Sequence, residues 1–165
     1  MLKKVRIKIQ TTKTELVGSF FVGGRLRPSQ KNEKPQKSEQ MLTGRYHDDG
    51  TRLSVAYRES ELTGLEGSEA ILSFFKSEPH VVLLQRTGSV KTLLRFEAGK
   101  RHSCVYQTAI MPFDVCLECK SVQNLLEQEG TLQLDYVVEV RGGTPERVQM
   151  QITLLPDFDK PQNIN

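Results

Sequence analysis

RTGSVKTLLRFEAGKRHSCVYQTAIMPFDVCLECKSVQNLLEQEGTLQLDYVVEVRGGTPERVQMQITLL, residues 86–155, sets apolar residues on every second position of successive segments, each followed by a turn signal. Neighbouring side chains of a strand point to opposite faces. Val90, Thr92, Leu94 and Phe96 therefore share one face, while Lys91, Arg95 and Glu97 share the other with Leu93 as the exception. Phe113, Val115, Leu117 and Cys119 oppose Asp114, Cys116, Glu118 and Lys120 in the same way. Leu132, Leu134, Tyr136, Val138 and Val140 oppose Thr131, Gln133, Asp135 and Glu139, interrupted by Val137; Val148, Met150, Ile152 and Leu154 oppose Gln149, Gln151 and Thr153. One buried and one wet face per segment is the signature of an antiparallel meander.

Working outward, Val5, Ile7 and Ile9 alternate similarly, as do Leu53, Val55 and Tyr57, with less regular strands around residues 16–22, 70–75 and 81–86. Asp49-Gly50 suits a type I′ hairpin turn, Gly88-Ser89 a type II′ turn, and Gly142-Gly143 a short loop before Pro145. About eight to ten strands in simple neighbour order are expected to close on themselves, because closure removes the exposed sheet edges. The predicted fold is all-β: an up-and-down antiparallel barrel over residues 1–156, followed by a polar tail, 157–165. One departure is expected at residues 121–129, where Ser121 as N-cap, the Leu125-Leu126 pair and a stop at Gly130 predict a short helical turn across one end of the barrel.

At 165 residues the chain is long enough for one domain with a sizeable core, and 7% aromatics with no Trp leave that core to Leu, Val and Ile. No apolar run approaches the ~20 residues that span a bilayer, and Met1-Leu2-Lys3-Lys4 leads straight into an alternating strand, so a cytoplasmic protein without a membrane role is expected. The three cysteines are expected to stay reduced there. Cys116 and Cys119 resemble a chelating pair, but a spacing of three in a strand sends their sulfurs to opposite faces. Cys104 and Cys119 read instead as small buried hydrophobes and Cys116 as partly exposed. No metal or cofactor is expected.

The net charge of +3 conceals an asymmetry: residues 1–37 carry +8 and the remainder −5. Within the basic part, residues 23–40 (GGRLRPSQKNEKPQKSEQ) have the composition of a flexible loop. Arg25, Arg27, Lys31, Lys34 and Lys37 would let it contact nucleic acid or an acidic protein by charge; the alternative is a solvated excursion between strands, and no aromatic residue interleaves the basic ones.

Thr43-Gly44-Arg45-Tyr46, Leu53 to Tyr57 with Glu59, Leu84 to Lys91, Arg95-Phe96, Gly99, Tyr106-Gln107-Thr108 and Gly130 to Tyr136, in this order and spacing, resemble the YwiB-like family of small bacterial β-barrel proteins. The resemblance runs from about Gln40 to Leu155, with a weaker echo in residues 5–11. It implies a calycin-like, lipocalin-type barrel from a cytoplasmic protein of Gram-positive-type bacteria, and it brings no activity, ligand or catalytic residue with it. The chain departs from the family pattern at Cys119, where a Thr is usual, and in the longer basic stretch 23–40.

All four tyrosines, Tyr46, Tyr57, Tyr106 and Tyr136, fall on the apolar parity of their strands, and Arg86 shares parity with Val82 and Leu84. Buried phenols and a buried guanidinium need partners, at a cost of about 1–3 kcal/mol for each group left unsatisfied. A small ligand, anionic or acyl-type, would answer them, with His102 and Thr108 joining the lining; so would a ligand-free hub in which Arg86 bonds tyrosine hydroxyls and a carboxylate such as Glu59. His47, His80 and His102 are scattered, and no nucleophile elbow, zinc-helix motif or phosphate loop is present, so no enzyme is expected. The function expected from these residues is small-ligand binding inside the barrel; the alternative is an interaction module that docks nucleic acid or an acidic protein through the basic loop.

Overall fold

The computed structural model describes residues 2–29, 34–59 and 67–155. Lys31 and the tail 157–165 lie outside them. The strands are β1 (Leu2–Val17), β2 (Arg27–Pro28), β3 (Gln36–Asp48), β4 (Arg52–Arg58), β5 (Ser68–Phe75), β6 (Val81–Gly88), β7 (Val90–Glu97), β8 (Arg101–Thr108), β9 (Pro112–Leu125), β10 (Thr131–Val140) and β11 (Glu146–Leu155). From β3 to β11 each strand hydrogen-bonds its sequence neighbours, and β1 closes the ring by pairing with both β3 and β11. The result is a closed, antiparallel, ten-stranded barrel; β2 is a two-residue flange paired with Leu16 and Val17 of β1.

The alternation read from the sequence governs which side chains fill the barrel. Ile7, Leu53, Val55, Leu72, Val82, Phe96, Leu117, Leu132 and Ile152 are almost wholly buried in one continuous core. Gly44 permits a tight spot in this wall: a Cβ there would lie 2.5 Å from both the Ala56 carbonyl oxygen and Ile7 Cδ1. Leu126 plugs one end of the core.

Several local expectations are corrected. Residues 121–125 continue β9 instead of opening a helix, because they find a ladder partner in Thr131–Asp135, and an isolated helical nucleus is too costly to compete. A bulge at Lys120 breaks the β9–β10 register between Ser121↔Asp135 and Cys119↔Tyr136. It moves the inward side from Val115, Leu117 and Cys119 to Val122 and Asn124, and that parity change mimicked a helical period. Only one turn follows, closed by Glu129 N–H on the Leu125 carbonyl at 2.8 Å.

The Asp49-Gly50 turn is not type I′, which needs positive φ at both central residues; among the described residues only glycines have it. The β3–β4 ladder ends at Asp48↔Leu53, and Asp49 Oδ1 caps the loop by accepting the Thr51 and Arg52 N–H groups at 2.9 and 2.7 Å.

The basic stretch 23–40 is structured at both ends. Gln36 to Gln40 pair with Lys13 to Ile9 of β1, and Arg27 and Pro28 form β2. Ahead of them, residues 18–26 fold back as a flap over the outer wall. Gly18 makes this reversal at φ +105°, where a Cβ would collide with the Arg25 carbonyl. Ser19 Oγ and Phe20 N–H both donate to the Glu139 carboxylate, at 2.5 and 2.6 Å. Arg101 and Arg141 lie over the Phe20 and Phe21 rings, each at 4.5 Å. Cys116 and Val137, outward by parity like Glu139, are buried on this same wall, so Cys116 is not partly exposed as its parity predicts. Cys104 is the half-buried one.

Candidate functional site

Arg86 projects inward from β6 with small cross-strand neighbours on both sides, Ala70 on β5 and Thr92 on β7. Those short side chains leave its guanidinium room to cross the interior. Its Nε–H donates to Glu59 Oε1 at 2.8 Å, and the two side chains are 10% and 2% exposed. Glu59 is carried into the barrel just beyond β4, where its N–H extends the ladder to the Ser68 carbonyl at 2.9 Å.

Tyr57 sits between Gly44 and Ala70 in the register of β3, β4 and β5, two residues too small to contest its ring. Tyr136 is fixed edge-on against Phe96, with ring centroids 4.9 Å apart. Tyr106 stands on β8, which pairs with β7 only at Val90↔Thr108 and Lys91↔Gln107 and is therefore half-buried throughout its inner face.

Arg86, Glu59, Tyr57, Tyr106 and Tyr136 converge on one cavity of about 250 Å³ at the barrel end opposite Leu126. Gln40 and Thr11 share its polar lining, and Ile9, Leu94, Val138, Val148 and Met150 supply an apolar side. Its charged groups balance: Lys13 and Arg86 against Glu59 and Glu146.

Burial pushes the Tyr57 and Tyr136 phenols well above their ordinary pKa; Glu59 adds to the effect on Tyr57, and Arg86 opposes it on both. Tyr106 is raised by burial as well, against an opposing hydrogen bond from Arg86. Burial pulls the Arg86 guanidinium down, but Tyr106, Glu59 and Tyr57 outweigh it and hold the charge above its ordinary range. Tyr57 and Tyr136 are each only 6% exposed, yet neither hydroxyl has a hydrogen-bond partner among the described residues.

Tyr46 does not join this group. It lies half-buried at the far end, raised by its own burial and by Asp48, beside the Lys76–Asp48 ion pair of 2.6 Å. His102 is also elsewhere, donating from Nε2 to the Leu93 carbonyl at 3.0 Å across the β7–β8 seam, and Thr108 turns away to the Met111 carbonyl at 2.7 Å. The basic residues separate too. Arg25 and Arg27 border a cleft under the flap, Lys34 sits beside Lys13, Glu15 and Glu146, and Lys37 lies on the outer wall with Glu39. Gln40, Thr11 and Glu139 were invisible as site residues, since in a strand read alone a polar residue marks the wet side.

No group of three or more His, Cys, Asp or Glu able to hold a metal ion occurs among the described residues. Among the described residues no helix is long and apolar enough to cross a membrane. A family model described as "Domain of unknown function (DUF1934)" matches residues 25–152. No match is found among the curated proteins. Among solved structures, the crystal structure of ywiB protein from Bacillus subtilis superposes with a TM-score of 0.68 at 20% sequence identity, over 94% of this chain and 95% of that one.

Proposed function

The chain belongs to the DUF1934 family, with a YwiB-like barrel, and we propose that this barrel binds a small ligand in the cavity lined by Arg86, Tyr57, Tyr106 and Tyr136. The observation that carries the reading is the pair of buried phenols, unpartnered among the described residues and facing the same space, since a buried hydroxyl without a partner costs about 1–3 kcal/mol and a ligand's polar atoms would relieve that cost.

The ligand this lining suits is uncharged. Glu59 already compensates Arg86, and a carboxylate or phosphate entering beside the pair would have to compete with it in a low-dielectric interior. A hydrogen-bonding head against the phenols, with a short acyl or ring body against Ile9, Leu94, Val138, Val148 and Met150, matches both sides of the cavity. The role is binding and not catalysis: phenols held protonated are hydrogen-bond donors at neutral pH and poor general bases.

Native mass spectrometry of the protein purified from a bacterial host, compared with the denatured chain, tests this directly. A defined small mass lost on denaturation, and absent from the Tyr57→Phe, Tyr136→Phe double variant, is expected. Identical masses before and after denaturation, with no shift in melting temperature across a panel of small neutral amides, phenols and fatty alcohols, would count against a ligand and for a filled structural core.

A further inference from the structure

A second cavity of about 500 Å³ opens on the outside of the barrel, between the flap and the wall of β9, β10 and β11. Arg25, Arg27, Arg101, Lys120 and Arg147 surround it, against one carboxylate, Glu118. Its floor is apolar: Leu16, Phe20, Leu26, Pro28 and Val137. Arg101 is tied to Glu118 at 3.3 Å, and Arg147 is tied to Asp135 by two hydrogen bonds of 3.1 and 2.7 Å. Arg25, Arg27 and Lys120 have no carboxylate partner among the described residues. Three cations with no carboxylate partner among the described residues thus meet over an apolar floor.

We infer that this cleft is an anion site for an organic phosphate, a small molecule whose phosphate is held by Arg25, Arg27 and Lys120 while its body lies on Leu26 and Pro28. Guanidinium forks match phosphate oxygens bidentately, and the lysine adds a point charge. A nucleic-acid strand fits less well. Sequence-tolerant binding of single strands relies on aromatic faces free to stack, and the flap's two rings are already covered by Arg101 and Arg141. The site is assembled by folding: β2 sets Arg27 beside Val17, while Glu139 helps hold the flap that carries Arg25 by bonding Ser19 and Phe20.

Isothermal titration with nucleoside monophosphates and triphosphates, sugar phosphates and inorganic pyrophosphate tests the assignment. At least one organic phosphate is expected to bind more tightly than pyrophosphate, with affinity falling about tenfold or more in Arg25→Gln, Arg27→Gln and in Lys120→Gln, and declining with added salt. Glu139→Ala should weaken it as strongly without touching a ligand-contacting group. Arg25, Arg27 and Lys120 are exposed, so their substitutions leave the barrel's melting temperature in place as a folding control. Absence of binding by every probe, or affinity unchanged in the variants, overturns the proposal. A single-stranded oligonucleotide that binds more tightly as it lengthens also overturns it, by making the cleft part of a nucleic-acid surface.

Discussion

Glu139, on the outer face of β10, accepts the backbone N–H of Phe20 at 2.6 Å. A contact between residues 119 positions apart in sequence thereby fixes the flap on the barrel wall and buries a carboxylate where the strand pattern calls for solvent. Charge-assisted hydrogen bonds of this kind contribute about 1.5–3 kcal/mol each. Glu139→Ala should release the flap. Protease cleavage around Phe20-Phe21 should accelerate, and Cys116, buried in the intact protein, should become open to alkylation. If both rates stay at the wild-type level, the two arginine–aromatic contacts hold the flap on their own.

The Arg86–Glu59 pair is a structural element whatever occupies the cavity. Arg86→Met leaves the Glu59 carboxylate buried and alone, for an expected loss of about 3–5 kcal/mol in urea unfolding. Adding Glu59→Gln removes the stranded charge and should restore most of it. A double variant no more stable than the single one would refute the coupling.

Tyr57→Phe and Tyr136→Phe are expected to behave oppositely. Their hydroxyls have no partner among the described residues, so removal should cost nothing in the empty protein and should raise stability by about 1–3 kcal/mol for each desolvated group deleted. A loss above about 2 kcal/mol would mean that each hydroxyl is bonded within the empty fold, and the argument for a ligand would lose its basis.

Alkaline pH should unfold the protein ahead of any acid effect at this site. Burial pushes the Cys119 thiol up from 9.0 to about 11, and it raises Tyr57, Tyr106 and Tyr136 above 10.0. In each case the folded state holds the proton that the unfolded chain releases. Stability is therefore full below pH 9.0 and falls as the pH rises towards about 11. Melting temperatures measured across that interval, alongside tyrosinate absorbance, check the sign. A flat profile would contradict the burial of these groups.

Gly44 is a steric requirement. A Cβ would sit 2.5 Å from the Ala56 carbonyl oxygen, and the strand carries Tyr57 directly opposite. Gly44→Ala should cost about 1–3 kcal/mol as an overpacked site and shift Tyr57 in the cavity. The melting temperature and the fluorescence of a chain with its other tyrosines replaced by Phe would report the two effects separately.

The strands from β4 onward, most of the inward set and the presence of Arg86 with Tyr57, Tyr106 and Tyr136 inside the barrel were legible in the sequence, and Glu59 was already a candidate partner; Gln36–Gln40 of β3 read as flexible loop, and residues 18–22 read as strand where the flap folds back. Alternation is a property of the extended backbone itself, so any strand of five or more residues declares its two faces locally. Local reading failed where a neighbour intervened. At Lys120 a bulge inverted the parity and produced a helix-like pattern in residues 121–125, because the partner strand and not the segment decides where a ladder continues.

What the sequence determined by itself is therefore the alternating pattern and, through it, the barrel's inner and outer residues. Only the tertiary structure decided the rest. Tyr46 points inward like the other tyrosines, yet it lies at the opposite end, because its height along the barrel depends on the register between β1, β3 and β4. Glu139 points outward and is still buried, because a flap from the far end of the chain bonds its carboxylate, and Cys116, its cross-strand neighbour, is buried on the same wall. Facing is set by the geometry of one residue and the next; depth and cover are set by segments distant in sequence, and those meet only when the ring of strands closes.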